Sequence, residues 1–167
     1  MKTFWKILIY TAFFSVLHFG YELTGWSFLK PFCGTDESVF EHLKMGFWAY
    51  LLASAIELFT LKKCENFWSS RIFSTILIPL FILVVWYMVP AIFGKIESLT
   101  IELIWAFVVV IISGIFARVV EKNLERSNVS MNFKIVVLVL LIVSIVFFVR
   151  FSFTKPWIDV FVNPYTL

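Results

Sequence analysis

The chain has 167 residues, of which 61% are hydrophobic and 15% charged, and it carries a formal net charge of +3. Soluble domains average about 45–50% apolar and about 25% charged residues, so the composition excludes a disordered chain, a collagen-like chain and a disulfide-framework protein. A cytosolic enzyme with a mean hydropathy of +0.94 could not keep its surface polar. The composition predicts an integral membrane protein whose surroundings are the lipid bilayer.

Five apolar stretches are long enough to cross a hydrocarbon core of about 30 Å, which takes about 20 helical residues. In chain order they cover approximately residues 4–23, 43–61, 72–94, 99–117 and 133–153. Because the bilayer offers no water to backbone amides, each stretch must bond its own backbone and is predicted to be a helix. The sequence therefore predicts an all-α integral membrane bundle of five transmembrane helices, with residues 1–167 forming a single transmembrane domain.

The Lys and Arg residues of the connecting segments predict the orientation. One face collects Lys2, Lys6, Lys62, Lys63, Arg71, Arg118, Lys122, Arg126 and Lys134. The other face collects fewer, namely Lys30, Lys44, Lys95, Arg150 and Lys155. This excess predicts that the N-terminus lies on the inner, cytoplasmic side of the membrane and the C-terminus on the outer side. Positive charge at one membrane face also explains the net charge without a nucleic-acid partner. Cys33 and Cys64 then lie on opposite membrane faces, and we expect both to be free thiols.

Ionisable side chains within or beside membrane helices are costly, so each is a candidate functional residue. His18 and Glu22 are four residues apart near the outer end of the first helix and therefore share a face. A short aromatic loop leads to Glu37 and Glu41, again four apart, with His42 on the adjacent stripe at the start of the second helix. If the first two helices form an antiparallel hairpin, these side chains gather around one pocket.

Two further residues fall on the same membrane face in this topology. Glu102 is about one turn inside the outer end of the fourth helix, and Arg150 is near the outer end of the fifth. We therefore predict a ligand-binding site formed by His18, Glu22, Glu37, Glu41 and His42, with Glu102 and Arg150 as more distant members.

Glutamate and histidine are ligand types for a divalent transition metal such as zinc, manganese or iron. The metal ligands would be His18, Glu22, Glu41 and His42, although their spacing is not that of a zincin H-E-x-x-H motif. Without a metal, the same groups could bind a cationic ligand or pass protons, because a histidine beside carboxylates titrates near neutrality. The structural alternative is that Thr35 or Asp36 caps the second helix and the acidic residues form solvated pairs.

Three functions therefore stay open. The first is a protein that binds or transports a cation or small polar ligand, and transport through five helices would need a homo-oligomer or a partner membrane subunit. The second is a metal-dependent, membrane-embedded hydrolase acting on a lipid or envelope substrate, in which a remaining glutamate is the general base. The third is a structural or interaction protein with no ligand.

Glu57 lies apart from this group. It follows Glu41 by sixteen residues, or about 24 Å along a helix, which places it near the cytoplasmic interface. We expect it to form a local ion pair with Lys62, Lys63 or Arg71.

Two sequence phrases carry a family resemblance. HFGYE at 18–22, followed by DESVFEHLK at 36–44, resembles the signature H-F-x-Y-E and N-E-S-V-W-E-H-L-K of a family of small uncharacterised bacterial multi-pass membrane proteins. FTKP at 153–156 and FVNPY at 161–165 are similar to the C-terminal phrase F-T-x-x-P and F-x-D-P followed by Y in that family. The resemblance covers nearly the whole chain.

The chain departs from that signature at Asp36, Phe40 and Asn163. The change at Asn163 puts in doubt any role for a carboxylate at that position. The resemblance implies a bacterial source, and hence a multi-pass protein of the bacterial cytoplasmic membrane. No activity comes with it, because the family has no assigned function.

Overall fold

The structure is a computed structural model that describes residues 1–60, 65–94 and 98–163. Throughout these ranges the regular structure is helical, which confirms the predicted all-α class. The helices are α1 (Thr3–Thr24), α2 (Val39–Thr60), α3 (Phe67–Phe93), α4 (Leu99–Arg126) and α5 (Met131–Phe153), with single 3₁₀ turns at Ser27–Leu29 and Asp159–Phe161.

Four helices among the described residues are long and apolar enough to cross a membrane, namely Thr3–Thr24, Phe67–Phe93, Thr100–Arg126 and Met131–Phe153. Many of their apolar side chains face outward, and on α5 Ile135, Val136 and Leu138 are each more than half exposed. Such surfaces suit lipid rather than water. The chain is therefore a membrane protein with transmembrane helices.

α2 is not one of those four helices, because it carries Glu41, Lys44 and Glu57. It packs against both α1 and α3, and the side chains of Phe47 and Tyr50 on it are fully buried. Its three charged side chains are fully buried as well. α2 therefore lies in the interior of the bundle and presents its charges to protein neighbours.

α1 and α4 approach each other closely at a glycine. A Cβ atom added to Gly114 would lie 2.8 Å from Cδ1 of the fully buried Tyr10. Ala117, the other small residue of this stretch, is also fully buried. Small side chains at this contact let the two helices pack at short range, which is how membrane helices associate.

Charged side chains from four helices meet where α1 begins and α2 ends. Lys6 Nζ lies 2.8 Å from Glu57 Oε2, and Arg71 Nε lies 3.2 Å from the same oxygen. Arg118 Nη1 lies 3.2 Å from Glu57 Oε1, and both Lys6 and Arg118 also pair with Glu121. We call Lys6, Glu57, Arg71, Arg118 and Glu121 the Glu57 network. It joins α1, α2, α3 and α4, and none of its side chains is more than 4% exposed.

The predicted pair of Glu57 with Arg71 is thus confirmed, whereas Lys62 and Lys63 lie outside the described residues. α4 continues to Arg126, beyond the sequence-based end at residue 117. The physical reason is that Arg118 and Glu121 are buried in the network, so the polar residues after 117 do not mark the end of the helix.

We predict that Glu121→Gln lowers the free energy of unfolding by about 3–5 kcal/mol, because removing one member of a buried ion pair leaves its partners uncompensated. Lys6 and Arg118 both lose a carboxylate, and Tyr50 Oη loses the charged acceptor to which it donates at 2.9 Å. Unfolding by SDS in mixed micelles, followed by circular dichroism, measures the change.

The matched control is Glu65→Gln. The Glu65 side chain is 88% exposed and lies 3.8 Å from Lys134 Nζ, so its loss should change the free energy of unfolding by less than about 0.5 kcal/mol. Equal effects of the two substitutions would contradict a stabilising role for the buried network.

Candidate functional site

Three of the seven predicted site residues meet where α1 ends and α2 begins. Glu37 Oε2 lies 3.6 Å from His18 Nε2 and 3.6 Å from His42 Nε2. The two imidazole rings are 5.5 Å apart between centroids. One ligand atom from each of the three side chains lies within 4.8 Å of the other two, so all three can reach a single bound cation.

The connection between α1 and α2 brings Glu37 to the histidines. Gly25 ends α1 with a φ of 66°, a left-handed conformation that glycine adopts without steric cost. The chain then folds back, and Gly34 N donates to Leu17 O at 3.1 Å. Ser38 N donates to Asp36 Oδ1 at 2.9 Å just before α2 begins. Glu37 is therefore carried on a turn that is hydrogen-bonded to the end of α1.

The geometry of His42 fixes which of its nitrogens faces Glu37. His42 Nδ1 donates to the carbonyl oxygen of Ser38 at 3.0 Å. This bond leaves the lone pair of Nε2 directed toward Glu37, the arrangement in which histidine ligates metals. Phe14, centred 6.2 Å away, and Trp86, stacked at 6.2 Å, pack against the His42 ring. The ring is therefore held in a ligating orientation by one hydrogen bond and two aromatic neighbours.

A polar pocket of about 330 Å³ opens beside these residues. Its lining includes His18 and Tyr21 from α1 and the carboxylates of Glu22, Asp36 and Glu37. Two of the three converging donors, His18 and Glu37, thus face this space. The predicted ligand Glu22 thus lines the pocket and is not one of the three converging donors.

Glu41 does not join the histidines, although the sequence favoured it as a metal ligand. Its Oε2 accepts from Thr35 N at 2.9 Å and lies 2.6 Å from Lys44 Nζ. Its Oε1 lies 2.8 Å from Lys155 Nζ, and Lys155 also pairs with Asp36. We call Asp36, Glu41, Lys44 and Lys155 the Glu41 network. Glu41 is fully buried and its oxygens are engaged by these cations.

Arg150 and Glu102 are not among the three converging donors. Arg150 Nη1 donates to Thr154 Oγ1 on the exposed side of α5. Glu102 lies in the first turn of α4, where a negative side chain interacts favourably with the helix dipole. Among the described residues neither of them lines the pocket, so their part in a shared site stays a prediction.

Lys155 is the neighbour of the site that sequence reasoning missed. It follows the end of α5 and pairs with Asp36, which is 119 residues earlier in the chain. The sequence contains only weak information about this contact, because the predicted topology merely placed Lys155 and Asp36, with opposite charges, on one membrane face. That information alone does not select Lys155 over Lys30 or Lys44.

Cys33 is not one of the three converging donors. It is a free thiol with 3% of its surface exposed. Burial raises the pKa of this thiol, and the nearby Lys44 ammonium opposes that shift only partly. Cys33 therefore stays a neutral thiol at physiological pH, and Cys64 lies outside the described residues.

The pKa of Asp36 reports on the Glu41 network. Burial by itself raises the pKa of this carboxyl, but hydrogen bonds from the Lys155 ammonium and from the backbone N–H of Ser38 outweigh burial and hold the pKa below its ordinary value. Asp36 is therefore ionised at neutral pH and stays paired with Lys155.

A family model described as a family of unknown function (DUF6512) matches residues 2–166. The match covers nearly the whole chain, and the chain belongs to this family. Neither a curated protein nor a solved structure matches it.

We predict that Asp36→Asn destabilises the protein at neutral pH but not in acid. Because the folded-state pKa of Asp36 is lowered, its stabilising contribution is complete above the unfolded-state value of about 3.9. The contribution is lost as the pH falls through the folded-state pKa. Free energies of unfolding of the wild type and the variant, measured across this pH range, should differ at pH 6 and converge in acid. A difference that is constant with pH would contradict the assignment.

Proposed function

We propose that this member of the DUF6512 family binds a divalent transition-metal cation through His18, Glu37 and His42. The observation that carries the proposal is the convergence of the three side chains, whose ligand atoms all lie within 4.8 Å of one another. Two imidazoles and one carboxylate suit zinc, manganese and iron. Glu37 thereby replaces Glu41 in the ligand set that the sequence suggested.

The distances are close to those that a tetrahedral metal needs. Ligand bonds of about 2.1 Å place two donors of a tetrahedral zinc site about 3.4 Å apart. The two separations from Glu37 to the histidines are 3.6 Å each. The three ligand atoms lie within 4.8 Å of one another, so side-chain rotations that bring the two imidazoles closer together would complete the site around an ion.

Charge also distinguishes Glu37 from the buried carboxylates. Glu41, Glu57 and Glu121 each have Lys or Arg nitrogens beside them. The ion pairs of Glu37 with side chains of the described residues are to His18 and His42, which are positive only when protonated. A bound cation supplies the charge that neutral imidazoles lack.

In this proposal α2 is a fifth transmembrane helix, with the N-terminus in the cytoplasm and the cation site at the outer face of the bacterial cytoplasmic membrane. α2 has 22 residues, as α1 does. Its fully buried charges face protein neighbours, which removes the main physical objection to a membrane position. The excess of Lys and Arg on the other face supports the orientation.

A metal-dependent hydrolase is the second candidate, favoured by the pocket. Catalytic zinc sites use three protein ligands and keep the fourth position for water, whereas structural sites use four. Two of the three donors, His18 and Glu37, line a pocket of about 330 Å³ that Glu22 also lines. Glu22 would then take the proton of a metal-bound water attacking a lipid or envelope substrate. Transport of the cation, by a homo-oligomer or with a partner subunit, is the other use of the same site.

We predict that purified protein binds about one Zn²⁺ per chain, and that His18→Ala, Glu37→Gln or His42→Ala weakens binding by about 100-fold or more. Loss of residues around a metal's ligands already costs about 10–100-fold, and loss of a ligand should cost at least as much. Isothermal titration calorimetry in detergent, with Mn²⁺ and Fe²⁺ as comparison ions, measures the affinity.

Glu65→Gln is the control, because Glu65 is an exposed carboxylate that the proposal does not use. The affinity of the Glu65→Gln variant for Zn²⁺ should equal that of the wild type. Failure of the wild type to bind any of the three metals would refute the proposal and leave helix pairing as the role of these residues.

The hydrolase candidate predicts that Glu22→Gln keeps Zn²⁺ affinity and loses activity. Removal of a general base typically lowers the rate by about 10²–10⁴-fold. Hydrolysis of p-nitrophenyl acetate by the zinc-loaded wild type and variant in micelles tests this. Equal rates for the two proteins, or no rate above that of free Zn²⁺, would exclude Glu22 as the base.

A further inference from the structure

We infer that Lys155 is a positioning residue for the metal ligand Glu37. The inference rests on the proposed function and extends it, because it makes the segment after α5 part of the cation site. Lys155 does not touch Glu37 itself. It acts through Asp36 and Glu41, which flank Glu37 in the chain.

The first step is the contact that Lys155 makes on both sides of Glu37. Its Nζ pairs with Asp36 Oδ2, one residue before Glu37, and lies 2.8 Å from Glu41 Oε1, four residues after it. One ammonium group thus ties together the two ends of the turn that carries the ligand.

Further hydrogen bonds connect the side chains that Lys155 contacts to the backbone of the turn. Glu41 Oε2 accepts from Thr35 N at 2.9 Å, so the same glutamate also holds the residue before Asp36. Asp36 Oδ1 accepts from Ser38 N at 2.9 Å. With Lys155 in place, the backbone on each side of Glu37 is held by a charged side chain.

Glu37 needs this support because its own side chain is not packed in place. The side chain is 43% exposed, whereas those of His18 and His42 are 25% and 18% exposed. The two histidines project from helices, and Glu37 projects from the turn. The position of its carboxylate therefore depends on the backbone of the turn.

Lys155 is itself anchored by aromatic packing between the C-terminal segment and α2. The ring of Phe161 stacks on that of Phe40 at a centroid distance of 4.6 Å, and Phe148 lies 5.9 Å from Phe40. Phe40 is the residue immediately before Glu41 and is 1% exposed. This packing sets where the chain leaves α5 and hence where the Lys155 ammonium lies.

The expected consequence is a loss of metal affinity without loss of any ligand. Lys155→Met keeps most of the side-chain volume and removes the charge. Glu41 remains paired with Lys44 at 2.6 Å, so the start of α2 keeps a charge partner. We expect Zn²⁺ affinity to fall by about 10–100-fold, the usual effect of losing a group that orients a ligand, and Lys155→Arg to restore most of it.

The test uses the full chain in detergent, with Zn²⁺ calorimetry and the visible d–d absorption of bound Co²⁺ as readouts. The Co²⁺ spectrum reports ligand geometry, which a purely structural role of Lys155 would leave unchanged. Lys134→Met is the matched control, because Lys134 forms a 3.8 Å pair with the exposed Glu65. Lys134 and Lys155 lie at opposite ends of α5, about 30 Å apart along its axis.

Asp36→Asn removes the other partner of the ion pair between Lys155 and Asp36. This second bridge variant keeps the test valid if Lys155→Met folds poorly. Weaker Zn²⁺ binding and an altered Co²⁺ spectrum in both bridge variants, with Lys134→Met unchanged, support the inference. Wild-type affinity in either bridge variant overturns it, as does an equal loss in the Lys134 control. Absence of metal binding by the wild type would refute the proposed function itself, a result distinct from these.

Discussion

The cost of burying charge in a membrane bundle is the constraint on which the rest of this structure depends. A charged side chain in this setting must be paired or must face a polar cavity. α2 carries Glu41, Lys44 and Glu57, and each is fully buried. The two networks at its ends supply the partners, drawn from α1, α3 and α4 at one end and from the segment after α5 at the other. The ion pairs thus determine which helices surround α2.

The candidate site follows from the same constraint. Because Lys44 and Lys155 occupy the oxygens of Glu41, that carboxylate is not available to the histidines. Glu37 lies just before α2 on a more exposed turn, and its carboxylate is directed toward both imidazoles. The two glutamates of this region therefore have different kinds of partner. Glu41 is paired with two lysines, and Glu37 faces the two imidazoles.

Sequence reasoning reached the helical class and the meeting of His18 with the start of α2, because apolar length and four-residue spacing are local properties. It placed Glu41 and not Glu37 among the metal ligands, because the difference between them depends on α2 beginning at Val39 and on a lysine 119 residues away from Asp36. The Glu57 network could not be predicted from the sequence for the same reason. Its Lys6 and Glu121 are 115 residues apart, and no local pattern encodes their contact.

The three polar groupings of the bundle differ in how their charge is balanced. In the Glu57 and Glu41 networks, lysine and arginine side chains are paired with the carboxylates. At the candidate site the partners of Glu37 are imidazoles, and the Nδ1 bond of His42 to Ser38 O selects the tautomer in which Nε2 of the neutral ring is the electron-pair donor. Imidazoles in their neutral form facing a carboxylate are complementary to a cation. The site is thus the grouping among the described residues in which imidazoles, and not lysine or arginine, face the carboxylate.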